Sequence, residues 1–189
     1  MTLRLAVAPA DEPISLADAK LHLKLDDSTD DVLVQAFIQA ARQGAEHELG
    51  RSLMPQTWEL LLDAFPGGAI ELAKLPIQSI TSVTYADTAG ITQTLPADQY
   101  ALDADNGTGW LLPAYGETWP DTLDAANAVT VRFVTGYANA AAVPGAVRSW
   151  MLLRIGALYR NREAFAMGSM TELPGCFVDR LLDPYRVYG

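Results

Sequence analysis

The sequence predicts an α+β protein in which N- and C-terminal helices form one helical unit and an antiparallel β domain, a sandwich or small barrel, is inserted between them. Three observations predict it. Apolar residues recur at three- and four-residue spacing near both ends, the middle alternates with a period of two, and clusters of turn formers punctuate that middle. The boundaries are read at residues 1–53 and 143–189 for the helical unit and 54–142 for the β domain.

Residues 1–13 alternate weakly, end at Pro13 and read as an extended arm. Ser15 and Asp18 have the spacing of a capping box, which opens a short helix through about Lys24 with Leu16, Ala19 and Leu23 on one face. The run Asp26 to Asp31 breaks that helix and caps the next, with Ser28 and Asp31 repeating the capping spacing. A second helix follows from about Thr29 to Leu49. Val34, Phe37, Ile38, Ala41, Ala45 and Leu49 make its apolar stripe, and Gly50 fits the position after its end.

Six short strands are predicted beyond Pro55: 56–62, 77–85, 91–95, 99–102, 109–112 and 129–134. Turn formers bound them at Pro66-Gly67-Gly68, Asp87 to Gly90, Asp103 to Gly107 with Asn106-Gly107 at the tip, and Trp119-Pro120-Asp121. The helical period returns after Pro144, which suits the first helical position. Val147, Met151, Ile155, Leu158 and Tyr159 form the buried stripe, and Arg148, Arg154, Arg160 and Arg162 lie mostly off it. Gly168-Ser169 marks a loop. A last helix, about Gly175 to Leu182, ends before Pro184 and leaves a tail from Tyr185 to Gly189.

The 189 residues suffice for one hydrophobic core or two small ones, and half of them are apolar. No apolar run approaches the roughly 20 residues of a spanning helix. The start, with Arg4 inside its apolar run, does not read as a signal peptide, and the single Cys176 excludes an internal disulfide. Synthesis in the cytoplasm is the expectation. Charge is uneven: residues 1–53 balance to −4, residues 54–142 to −8 and residues 143–189 to +2, together the net −10. An acidic body is a poor duplex-DNA binder. An arginine-bearing end suits contact with an acidic neighbour, so an assembly interface is expected at Arg148, Arg154, Arg160, Arg162, Tyr185, Arg186 and Tyr188. On that reading, loss of residues 184–189 leaves stability nearly unchanged.

Chemistry is sparse. His22 and His47 stand alone, without the paired spacing of metal ligands or a catalytic motif. The aspartates of 26–31 and of 103–105 lack the midway glycine and distal glutamate of a calcium loop, and capping and turn roles explain them. Cys176 has no nearby histidine, and the four tryptophans are dispersed as core residues are. No catalytic, cofactor or metal residue is assigned, and none of these features makes an enzyme.

Several segments in order resemble the head–tail connector family of tailed bacteriophages and prophages, in its longer form with a β insertion. They are Ile14 to Leu25 with Asp30 to Val34; Gly50-Arg51-Ser52-Leu53 and Gln56-Thr57-Trp58; Leu75 to Val83; Val129 to Phe133 with Gly136-Tyr137; and Val143-Pro144, Tyr159 to Glu163 and Leu181 to Arg186. The resemblance implies a structural protein of the virion neck that docks on the portal after DNA packaging. It implies a ring of identical subunits, contact with a tail or stopper protein, DNA only as cargo through the channel, no cofactor and no membrane. The alternatives are another neck or tail-completion protein, or a ligand-binding or catalytic domain built on the β region.

Overall fold

The computed structural model describes residues 1–104, 108–161, 178 and 180–187. Helix α1 (Leu16–Leu23) starts where the sequence places it: the Ser15 hydroxyl accepts the Asp18 amide at 3.1 Å and donates to the Asp18 carboxylate at 2.7 Å. Lys24 ends the helix in the left-handed region, φ 59°, and its turn returns the Leu25 amide to the Lys20 carbonyl.

Helix α2 (Asp31–Leu49) has Asp30 rather than Ser28 at its N-cap position, with no side-chain capping bond. The Asp27 carboxylate takes the Thr29 amide, and this local turn closes before the helix begins. Val34, Ile38, Ala41, Ala45 and Leu49 are buried as the stripe predicts, but Phe37 is only half-buried and Arg42 is buried with them. Helix α3 (Gly145–Arg160) begins directly after Pro144, which holds the N-cap position without a side-chain capping bond, and buries Val147, Trp150, Met151 and Ile155. Leu158 and Tyr159 are half-buried. The three helices pack on one another. Gly44 of α2 lies against the Trp150 ring, and Gly156 of α3 faces His22 of α1.

The strands are β1 (Thr2–Val7), β2 (Gln56–Leu62), β3 (Ile70–Leu72), β4 (Ile77–Ala86), β5 (Thr92–Thr94), β6 (Tyr100–Asp103), β7 (Gly109–Pro113) and β8 (Val129–Thr135). Among the described residues they form two antiparallel sheets, ordered β1-β2-β8-β4-β5 and β3-β7-β6. Strand β8 is central to the larger sheet and alternates fully: Val129, Val131, Phe133 and Thr135 are buried. The buried sides of the two sheets meet at Gly109, where an added Cβ would stand 2.6 Å from Ile77 Cγ1.

The chain divides into two compact units, one of Met1–Ala10 with Pro55–Ala138, the other of Asp11–Met54 with Asn139–Gly189. The reading that put residues 1–10 with the helices is corrected: they are β1, paired with β2 in register Thr2 to Leu61 through Leu5 to Trp58. Their alternation is weak because β1 is an edge strand with an irregularity between Leu5 and Val7. The turn tip Asn106-Gly107, the loop Gly168-Ser169, Cys176 and most of the segment read as a last helix lie outside the described residues.

Candidate assembly surface

Several acidic groups of the helical unit are engaged in local structure. The aspartate run is divided among neighbours: Asp27 turns onto Thr29, Asp30 accepts the Tyr159 hydroxyl at 2.5 Å, and Asp31 pairs with Lys20 at 2.7 Å. The Thr29 amide and hydroxyl hold the Asp27 carboxyl below the usual carboxylate value. His47 is exposed at the end of α2, and His22 lies against α3. Among the described residues no three histidine, cysteine or acidic side chains gather as a metal cluster.

The β unit binds its own acids in the same way. Asp87 accepts the Ala89 and Ile91 amides and the Gln93 side-chain amide, each at 2.9 Å, shaping the β4–β5 turn. The Gln93 bond and the Ile91 amide lower its carboxyl below the ordinary value. Glu59 of β2 receives Arg4 of β1 and lies 3.8 Å from Arg132 of β8, tying three strands together.

The arginines expected at an interface have separate duties. Arg148 reaches Asp18 of α1 at 3.9 Å. Arg154 and Arg160 are exposed on α3, with Arg160 in the last turn, where a cation favours the helix dipole. Arg186 is ion-paired with Glu48 at 3.2 Å and Asp183 at 3.3 Å. The Tyr185 carbonyl accepts Arg51 Nε at 2.6 Å, and the Val187 amide donates to the Leu49 carbonyl at 3.0 Å. Arg162 and Tyr188 lie outside the described residues. The tail through Val187 is therefore docked on the end of α2, with Leu182 fully buried before it. These contacts argue against the expectation that its loss leaves stability unchanged.

Three exposed apolar side chains carry no role in the pattern of the sequence. Leu21 on α1 is 80 % exposed, Val32 on α2 is 81 % exposed and Tyr115 is wholly exposed. A signal was present for two of them. Leu21 falls off the Leu16-Ala19-Leu23 stripe, and Tyr115 sits in an Ala-Tyr-Gly-Glu turn that has no core position to offer it.

A helical unit and a two-sheet antiparallel unit in one α+β chain define a fold seen in virion necks. The neck of an empty GTA particle with C6 symmetry matches with TM-score 0.81 and 22 % identity, over 100 % of this chain and 97 % of that one. The virion of a native gene transfer agent (GTA) particle matches with TM-score 0.80 and 22 % identity, and the neck of the native particle with C12 symmetry with 0.80 and 21 %, at the same coverage. Residues 13–94, from the approach to α1 through β5, match the family described as phage gp6-like head-tail connector protein. The chain is thus similar to head–tail connectors over that segment, as its N-terminal residues suggested. No curated protein matches the chain.

Proposed function

We propose that this protein is a structural component of the virion neck: a head–tail connector that forms a ring, docks on the portal once DNA is packaged and receives a tail or stopper protein on its other side. The observation that carries this reading is the whole-chain match to neck subunits of a particle solved with C6 and C12 symmetry, joined to the connector-family match over 13–94. The helical ends act in it as one unit. The net charge of −10 suits a channel through which DNA must pass without adhering. The exposed Arg154 and Arg160 are available to acidic neighbours. The role needs no reaction and no cofactor.

Removal of the chain from the producing cell tests it. The expected result is DNA-filled heads without tails, converted to tailed particles when the purified protein is added back. Tailed particles in its absence, or heads that never fill, would contradict the reading.

A further inference from the structure

The two sheets of the β unit carry opposite charge on their outward faces. Antiparallel sheets commonly leave one face to solvent; what distinguishes these two is the separation of sign. The strands β1, β2, β4, β5 and β8 hold two arginines, Arg4 and Arg132, and one acid, Glu59. Register sets the three in one row across neighbouring strands, Arg4 beside Glu59 and Glu59 beside Arg132, on the side away from the buried Leu60, Val131 and Phe133. The acids at the strand ends are engaged: Asp63 accepts the Asn127 amide at 2.9 Å, and Asp87 shapes the β4–β5 turn. The strands β3, β6 and β7 hold two acids, Glu71 and Asp103, and no cation. Here too register makes a row, Glu71 beside Trp110 and Trp110 beside Asp103, on the side away from the buried Leu111.

The rows match in size as well as in sign. Each crosses three adjacent strands, so its ends stand two strand spacings, about 10 Å, apart. In the first row two guanidiniums share one carboxylate, which leaves one positive charge in excess. Arg4 Nε donates to Glu59 at 3.1 Å, whereas Arg132 lies 3.8 Å from it and is 41 % exposed. A guanidinium has five donors, so Arg132 is the member of its row with the most bonding capacity left. In the second row Glu71 is exposed, while Asp103 is half-buried and already has a partner. Trp110 lies between the two acids, and tryptophan and arginine are both enriched where interfaces form.

We propose that the outward face of the larger sheet in one copy lies against the outward face of the smaller sheet in the next, with Arg132 paired to Glu71. The contact rests on the ring-forming reading above and specifies its interface. The two faces lie on opposite sides of a sandwich, so the contact joins different patches. It is therefore head-to-tail and repeats from copy to copy, which is the geometry that closes a ring. Like faces would set arginine row against arginine row, or acid against acid, and the repulsion excludes them.

The test places the charge exchange in separate chains. Full-length Arg132→Glu and Glu71→Arg are produced singly, and then together, in cells that make particles. Either alone should lower the yield of tailed particles about tenfold, since every contact in the ring then opposes like charges. Together they should restore most of it, because each altered face meets the other's altered face and an even-numbered ring can alternate them. Wild-type yield from both single variants overturns the proposal. So does a mixture no better than its parts, when both purified variants melt close to wild type. Should Arg132→Glu weaken the fold through Glu59, a cross-linking arm decides alone. Ser82→Cys, in register with Arg132, and Glu71→Cys are introduced singly and together, with Cys176→Ser throughout, and particles are treated with a short thiol-to-thiol cross-linker. The double variant should give a ladder of covalent multimers on a denaturing gel, and each single variant only monomer. Monomer alone from double-variant particles that carry tails overturns the proposal and leaves the connector reading standing. A dimer from either single variant also overturns it, since like faces would then meet. Absence of the wild-type chain from tailed particles would instead overturn the connector reading.

Discussion

Arg42 carries a full charge on a helix face that is otherwise aliphatic, and only 4 % of it reaches solvent. Burying a guanidinium is costly unless its donors are satisfied. Here Nε donates to Glu12 at 2.8 Å and Nη1 to Glu46 at 2.9 Å, while Glu46 also accepts the Leu53 amide at 2.8 Å. One side chain thus ties the approach to α1, the middle of α2 and the exit from it. The stripe read from the sequence steps past Arg42, because periodicity ranks residues by hydropathy and cannot see a carboxylate 30 positions away. Arg42→Ala should destabilise the protein by roughly 3 to 5 kcal/mol, since two carboxylates lose their cation in a poorly solvated place. Chemical denaturation measures it, and a loss below about 1 kcal/mol would show the network to be incidental.

The elements that the sequence makes legible are those whose signal is local and long enough to repeat. The Ser15 cap needs only Asp18, and the predicted span 56–62 is β2 because its flanks are turn formers. Strand β3 is too short for a period to register, although Ile70 and Leu72 are buried around an exposed Glu71. Strand β1 is readable only through its partner β2, which lies more than fifty residues on. The meeting of the sheets is another non-local fact, and Gly109 marks it. Gly109→Ala should cost about 1 to 3 kcal/mol, because its methyl would overlap the Ile77 Cγ1 position within the core rather than a flexible tip. Equilibrium unfolding of the variant checks this, and wild-type stability would mean the sheets part more easily than their burial implies.

The docking of the tail is hidden from the sequence for a related reason: Tyr185 and Arg186 look like interface residues by type, and only the fold reveals their bonds to Arg51 and Glu48. Deleting residues 184–189 removes a bond from a charged donor to the Tyr185 carbonyl and should lower stability by about 2 kcal/mol. For a chain of this size that is a fall in melting temperature of roughly 4 to 8 °C. Calorimetry of the truncated protein decides the matter, and an unchanged transition would mean that the contacts at α2 contribute nothing.

At the scale of the whole molecule, the sequence conveys class better than surface. The segment order carries the resemblance to connectors, and the match over 13–94 falls on the residues that carry its first part. The surface was less legible, because an exposed Leu21 or Tyr115 differs from a buried one only through what the fold leaves uncovered. The proposed function requires copies of this chain to form a ring on the portal. Electron microscopy of the purified protein mixed with purified portal tests it most directly. A second annular layer coaxial with the portal ring, absent when either component is omitted, is the expected result. Bare portal rings beside unattached protein, at concentrations where both remain folded, would contradict it.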